Sequence, residues 1–171
     1  MGSLNFRNVT MMALVVSLFM QVGAQLFALS VVASTIAEAP PRSFAILEGP
    51  YRYDSSPFWG TVPPITALLY IVGLIANWKS PRRTLLLASF GLFLAGGLVA
   101  GLLLEPEFAS ITAAGYSDEV DPALQSRAAA WLASDWAVWG ISLAAGIALL
   151  LALARPVAGN HNNAGSGSRP G

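Results

Sequence analysis

The sequence predicts an all-α fold: an integral membrane four-helix bundle, N-in/C-in, with an extracytoplasmic cap of aromatic and acidic residues. Three observations predict it. Of the 171 residues, 55% are hydrophobic and 11% charged, with a mean hydropathy of +0.61, whereas a soluble domain carries about 25% charged residues. The ionisable residues are spaced so that four long uncharged spans remain. The basic residues are also segregated from the acidic ones.

Each span is long enough to cross a bilayer. Between Arg7 and Glu38 lie 30 uncharged residues, and between Asp54 and Lys79 lie 24. Between Arg83 and Glu105 lie 21, and between Asp135 and Arg155 lie 19. A helix needs about 20 residues to cross a hydrocarbon layer roughly 30 Å thick. In lipid the backbone must satisfy its own hydrogen bonds, so helix is the expected form. Helices are expected at about 9–36, 62–78, 84–104 and 122–154, within one domain over 1–158. The Asn/Gly/Ser-rich stretch 159–171 is expected to be a disordered cytoplasmic tail. The first span also has the outline of a secretory signal, with Arg7 as basic flank and Val22-Gly23-Ala24 as a cleavage site, but its apolar run continues to Ile36.

Charge sets the expected orientation. Arg7, Lys79, Arg82, Arg83, Arg155 and Arg169 fall on one side, against Arg42, Arg52 and Arg127 on the other. The positive-inside rule places the six-residue side in the cytoplasm. All nine acids (Glu38, Glu48, Asp54, Glu105, Glu107, Asp118, Glu119, Asp121, Asp135) lie on the opposite side. That outer face is acidic. The localisation expected is a plasma or inner membrane, with the lipid bilayer as the first partner.

The outer connections carry the aromatic character. The stretch from Glu38 to Thr61 holds Pro40-Pro41, Gly49-Pro50, Tyr51-Arg52-Tyr53 and Pro57-Phe58-Trp59-Gly60, a turn-rich composition whose aromatics should pack onto the mouth of the bundle. Trp59 and Trp78 bracket the second helix as interfacial anchors. Asp121 can cap the fourth helix, with Pro122 at its first position.

Composition also excludes chemistry. The absence of cysteine removes disulfide frameworks, thiolate metal sites and CxxC redox centres. The lone histidine, His161, lies in the polar tail, so haem held by two intramembrane histidines and an HExxH zinc site lack their ligands. No phosphate-binding loop, nucleophile–base pair or basic nucleic-acid patch is present, and no cofactor or metal is expected.

What remains are polar stripes on apolar helices. The first helix places Ser17, Gln21, Ala24, Ala28 and Thr35 on one face with Gln25 at its edge. The fourth carries Trp131, Asp135, Trp139, Ser142 and Gly146. Such stripes serve interhelical hydrogen bonding or line a ligand pocket. The pocket candidates are therefore Gln21, Gln25, Trp131, Asp135, Trp139 and Ser142, with Arg52, Trp59, Glu105 and Glu107 as an outer rim. Asp135, Glu105 and Glu107 read as a solvated acidic rim, or else as oxygen ligands for a hard cation. Gly97-x-x-x-Gly101 matches the small-residue motif for close helix packing. Asn8-Val9-Thr10 has the form of a glycosylation sequon but lies at the expected cytoplasmic edge.

The order of features resembles the anthrone-oxygenase-like family of small four-helix membrane proteins, largely of unknown function. The residues that carry the resemblance are Asn77-Trp78-Lys79-Ser80-Pro81-Arg82-Arg83, Glu105-Pro106-Glu107-Phe108, and Trp131 with Asp135-Trp136. Glu107 and Trp139 stand where the family pattern has an asparagine and an arginine. The resemblance implies a cofactor-independent, oxygenase-like enzyme acting on an aromatic substrate from the bilayer. The residues themselves point first to a binding or accessory protein whose outer face meets a lipophilic ligand or a membrane partner. A small channel or transporter comes third, because no span carries an ionisable group in its interior.

Overall fold

The computed structural model describes residues 5–155. Asn5 accepts a hydrogen bond from the Arg7 N–H and so caps the first helix, α1, which runs over Phe6–Glu38. Thr61-Val62-Pro63-Pro64 opens α2 (Val62–Asn77), since proline lacks the N–H that a first helical turn leaves unpaired. A short helical turn at Ser56–Trp59 precedes it. After Pro81 the chain turns into α3 (Arg83–Thr112), and Asp121 caps α4 (Pro122–Ala154) by accepting from the Ala123 and Leu124 N–H groups. All four are long and apolar enough to cross a membrane, counting Ser56–Trp59 with α2.

α3 is longer than the sequence suggests. Glu105-Pro106 reads as a stop, yet the helix continues to Thr112. Proline at 106 has no N–H to donate and its ring crowds the carbonyl one turn earlier. The chain widens into a π turn over Ala100–Leu104 just before it, and the helix resumes beyond. α1 holds a second π turn at Ala28–Ala33, where the Ser34 hydroxyl donates to the Leu29 carbonyl at 2.7 Å.

The helices pack in cyclic order, α1 on α2 and α4, and α3 on α4, with α2 and α3 in the lightest contact. Two apolar cores hold them. The larger joins Met11, Leu14 and Leu18 of α1 to Tyr70, Leu86, Ala145 and Leu149. The smaller joins Val32 and Ile36 to Phe44, Ile111, Leu124 and Ala128. Phe44 lies in a 3-10 turn at Arg42–Leu47 and is the aromatic of the first connection that is fully buried. Tyr51, expected to pack, is 98% exposed instead.

Glycines set the close approaches. A Cβ on Gly146 would stand 3.0 Å from the Phe19 ring, and one on Gly96 would meet Ile141, Ser142 and Val138. At Gly97 and Gly101 a Cβ would meet nothing within 4 Å. The GxxxG pair therefore does not form a helix contact within the chain; its neighbour Gly96 does.

The end that holds Asn8 and Arg155 is closed by one arginine. Arg82 is 5% exposed and has no carboxylate partner among the described residues. Its guanidinium donates to the Arg155 carbonyl at 2.9 Å, the Leu153 carbonyl at 3.1 Å and the Asn8 side-chain oxygen at 2.7 Å. Arg155 donates in return to the Pro81 carbonyl at 2.9 Å. The last carbonyls of a helix lack intrahelical partners and sit at the negative end of its dipole, so a fork of N–H donors satisfies both. Burial pulls this guanidinium below its ordinary value, but arginine starts so high that it stays charged at neutral pH. The sequon asparagine is thus engaged in a structural contact.

Replacing Arg82 with Met keeps much of the stem and removes all three donations. We expect a loss of about 2 kcal/mol or more in unfolding free energy. Arg83 lies 3.9 Å over the exposed Trp78 ring, and Arg83→Met should cost under about 1 kcal/mol. Equal losses for the two variants, measured by thermal unfolding in detergent, would show that Arg82 is not the clasp.

Candidate functional site

Between the two cores the helices leave a cavity of about 840 Å³. On α1 its wall runs from Leu18 past Gln21, Gln25 and Ala28 to Val32 and Ile36. On α4 it is formed by Trp131, Asp135, Val138 and Ser142, and on α3 by Phe93, Gly97, Gly101, Glu105 and Phe108. Tyr53, Asp54, Ser56, Trp59 and Pro63, from the first connection and the start of α2, close the remaining side. Leu94, Gly97, Leu98 and Gly101 are exposed wall residues of α3, so the cavity stays open where α3 and α2 draw apart. Both π turns border it, through Ala28 and Val32 on one side and Ala100 and Gly101 on the other.

The polar stripe of α1 splits into two hydrogen-bonded groups. Thr66 donates its hydroxyl to the Val62 carbonyl at 2.9 Å, which leaves its oxygen to accept from Ser17 at 2.6 Å and from the Gln21 amide at 2.5 Å. Gln21 also donates to the Ser17 carbonyl at 3.3 Å. A carbonyl can only accept, so the amide orientation of Gln21 is fixed. One turn further on, Gln25 donates to Asp135 Oδ1 at 3.2 Å, linking α1 to α4 across the cavity wall.

Other side chains brace the walls. The Trp131 indole N–H donates to the Leu104 carbonyl at 3.1 Å, at the end of the π turn of α3, and its ring packs on Phe108 at 4.8 Å. Ser142 donates to the Val138 carbonyl at 3.1 Å. Asp54 accepts from Ser56, whose hydroxyl and N–H keep the carboxyl below the usual carboxylate range.

Among the residues singled out in the sequence, Gln21, Gln25, Trp131, Asp135 and Ser142 share this cavity with Trp59, Glu105, Gly97 and Gly101. Three others lie elsewhere. Trp139 is not on the wall; its indole N–H donates to the Val22 carbonyl at 3.1 Å and fastens α4 to α1. Arg52 is exposed in the first connection. Glu107 turns outward to Arg127, 2.9 Å away, in an exposed ion pair. The reason is helical rotation: Glu105 and Glu107 are two residues apart and so point to different sides of α3. Among the described residues no group of three acids or histidines is close enough to hold a metal ion. His161 and the stretch 159–171 lie outside the described residues.

Thr66 escaped the sequence reading, although it is fully buried and central to the polar network. A single threonine on an apolar helix gives no periodic signal. Arg82 was legible only as one of several basic residues near the second connection.

Comparison of the chain with protein-family models, with curated proteins and with solved structures gave no match.

Replacing Thr66 with Val leaves the Ser17 hydroxyl and one Gln21 donation without their acceptor. A loss of about 1–3 kcal/mol is expected, and Ser17→Ala should cost less in the Thr66→Val background than alone. Additive losses in that double-mutant cycle would show that the two hydroxyls are not coupled.

Proposed function

We propose that this chain is an integral membrane protein that binds a lipophilic ligand in the cavity between its two cores and presents an acidic, aromatic outer face. Two features support the membrane setting. The exterior is apolar along all four helices, with Val16, Leu68, Ile75, Leu102 and Leu151 more than half exposed. The buried set instead contains Thr10, Ser17, Gln21, Thr66, Asn77 and Ser89. Soluble monomers rarely expose a contiguous apolar patch above a few hundred Å², and polar side chains between membrane helices serve as interhelical links.

Charge supports the orientation. Arg7, Lys79, Arg82, Arg83 and Arg155 gather at the end closed by the arginine clasp, and the positive-inside rule sends that end to the cytoplasm. The cavity then lies toward the outer leaflet. Its gap between α2 and α3 opens sideways into the hydrocarbon, a route for a ligand already dissolved in lipid.

The observation that carries the binding reading is the bare backbone of Gly97 and Gly101 on the cavity wall. A large side chain there would take up part of the space, and an apolar wall with a few fixed polar groups is the usual make-up of a small-molecule site.

Native mass spectrometry after gentle detergent extraction should show the chain carrying a lipophilic adduct. Gly97→Trp should lose that adduct while keeping its helical circular dichroism. A bare wild-type mass, together with failure to take up a hydrophobic fluorophore, would overturn the binding reading. Reporter fusions in the Lys79–Arg83 turn and after Arg155 should report one face of the membrane, and opposite faces would overturn the orientation.

A further inference from the structure

We infer that the occupant of the cavity is a lipophilic amine: an apolar body carrying one ammonium group and no adjoining anion. This rests on the binding reading above and adds the ligand's charge. The first ground is the hydrogen-bond inventory of the wall. Gln21 is 7% exposed and its amide nitrogen is committed to Thr66 and to the Ser17 carbonyl. Its Oε1 accepts nothing among the described residues, yet no fully buried side-chain oxygen lacks a partner there. That oxygen is therefore open to the cavity. The same reasoning applies to Gln25 Oε1 and Asp135 Oδ2, since the Gln25 amide is spent on Asp135 Oδ1.

Most inner-wall donors, by contrast, are already engaged. Trp131 gives its N–H to Leu104, and Ser142 gives its hydroxyl to Val138. The inner wall thus offers a ligand more open acceptors than donors. The second Gln25 amide hydrogen remains, together with the Ser55, Trp59 and Tyr53 donors in the segment that borders the cavity.

Charge points the same way. Asp54, Glu105 and Asp135 line the cavity, and among the described residues no Lys, Arg or His does. Arg52 acts on Asp54 from outside, but Glu105 stands within electrostatic reach of Asp135 and neither has an ion-pair partner among the described residues. A carboxylate beside an apolar wall is stabilised by a nearby cation, which an ammonium group would supply. Trp59, Trp131 and Phe93 add aromatic faces, which attract ammonium groups. A bare metal ion would need a closer ring of oxygens than the described residues supply. A phosphate would meet carboxylates and no base, which disfavours a zwitterionic phospholipid as the occupant.

The test uses the full chain in a maltoside detergent and three ligands with the same twelve-carbon tail: dodecylamine, dodecanol and dodecanoate. Adduct occupancy by native mass spectrometry should favour the amine over the alcohol by about tenfold, the equivalent of one charge-assisted contact, with dodecanoate weakest. Asp135→Asn and Glu105→Gln should each lower the amine-to-alcohol ratio. Glu105 is exposed, so its variant keeps the test readable should Asp135→Asn fail to fold. Equal binding of amine and alcohol, an unchanged ratio in both variants, or displacement of the amine by phosphatidylethanolamine would overturn the amine assignment and leave the cavity reading standing. Failure of all three ligands, the alcohol included, would bring down the binding reading itself.

Discussion

Every polar side chain that these helices turn inward has to meet its partner on another helix or in its own preceding turn, because the apolar exterior offers none. Among the described residues the condition is met: no buried side-chain nitrogen or oxygen lacks a partner. Much of the fold follows from it. Ser17, Thr66 and Gln21 tie α1 to α2. Tyr70 meets Ser89 at 2.6 Å, and Ser89 donates to the Ala145 carbonyl at 2.7 Å, so one chain of hydrogen bonds crosses α2, α3 and α4. Arg82 gathers the end of α4 and the start of α1. An unmade hydrogen bond in a dry interior costs more than a made one contributes, so these links fix the rotation of each helix more firmly than apolar packing could.

Fixed rotation is what allows a cavity to persist. The larger core clamps the helices below it and the smaller core, with Phe44 as its centre, clamps them above. Between the clamps the π turns of α1 and α3 disturb the regular helix surface, and Gly97 and Gly101 contribute no side chains. Gln21 and Gln25 fix α1 against α2 and α4 along the wall of that space.

The connections between α1 and α2 and between α3 and α4 act as one lid over the smaller core. Gln125 donates to the Glu38 carbonyl at 2.6 Å, the Asp121 N–H to the Pro40 carbonyl at 2.9 Å, and the Tyr116 N–H to Glu48 at 2.8 Å. Tyr116 also donates its phenol to Asp118, and that hydrogen bond, with the Asp118 charge, holds the phenol above its ordinary value. Acids at this end are thus partly structural acceptors. Of the acids that line the cavity, Asp54 accepts from Ser56 and Asp135 from Gln25, while Glu105 has no partner among the described residues.

The sequence by itself determined the helical class and the four long apolar helices, because charge-free length and hydrophobicity are properties of the chain read in order. It also marked the start of α4, since Asp121-Pro122 is a local signal that needs no tertiary partner. Gln21, Gln25 and Asp135 were legible as polar residues on apolar helices, but not as neighbours. Tertiary structure alone decided that Gln25 bonds Asp135, that Gly96 and not Gly97 packs against α4, that Glu107 turns away, and that α3 runs past Pro106. Each of these depends on how one helix is rotated against the next. That rotation is set by pairings between residues as far apart as Gln25 and Asp135, which no local pattern records.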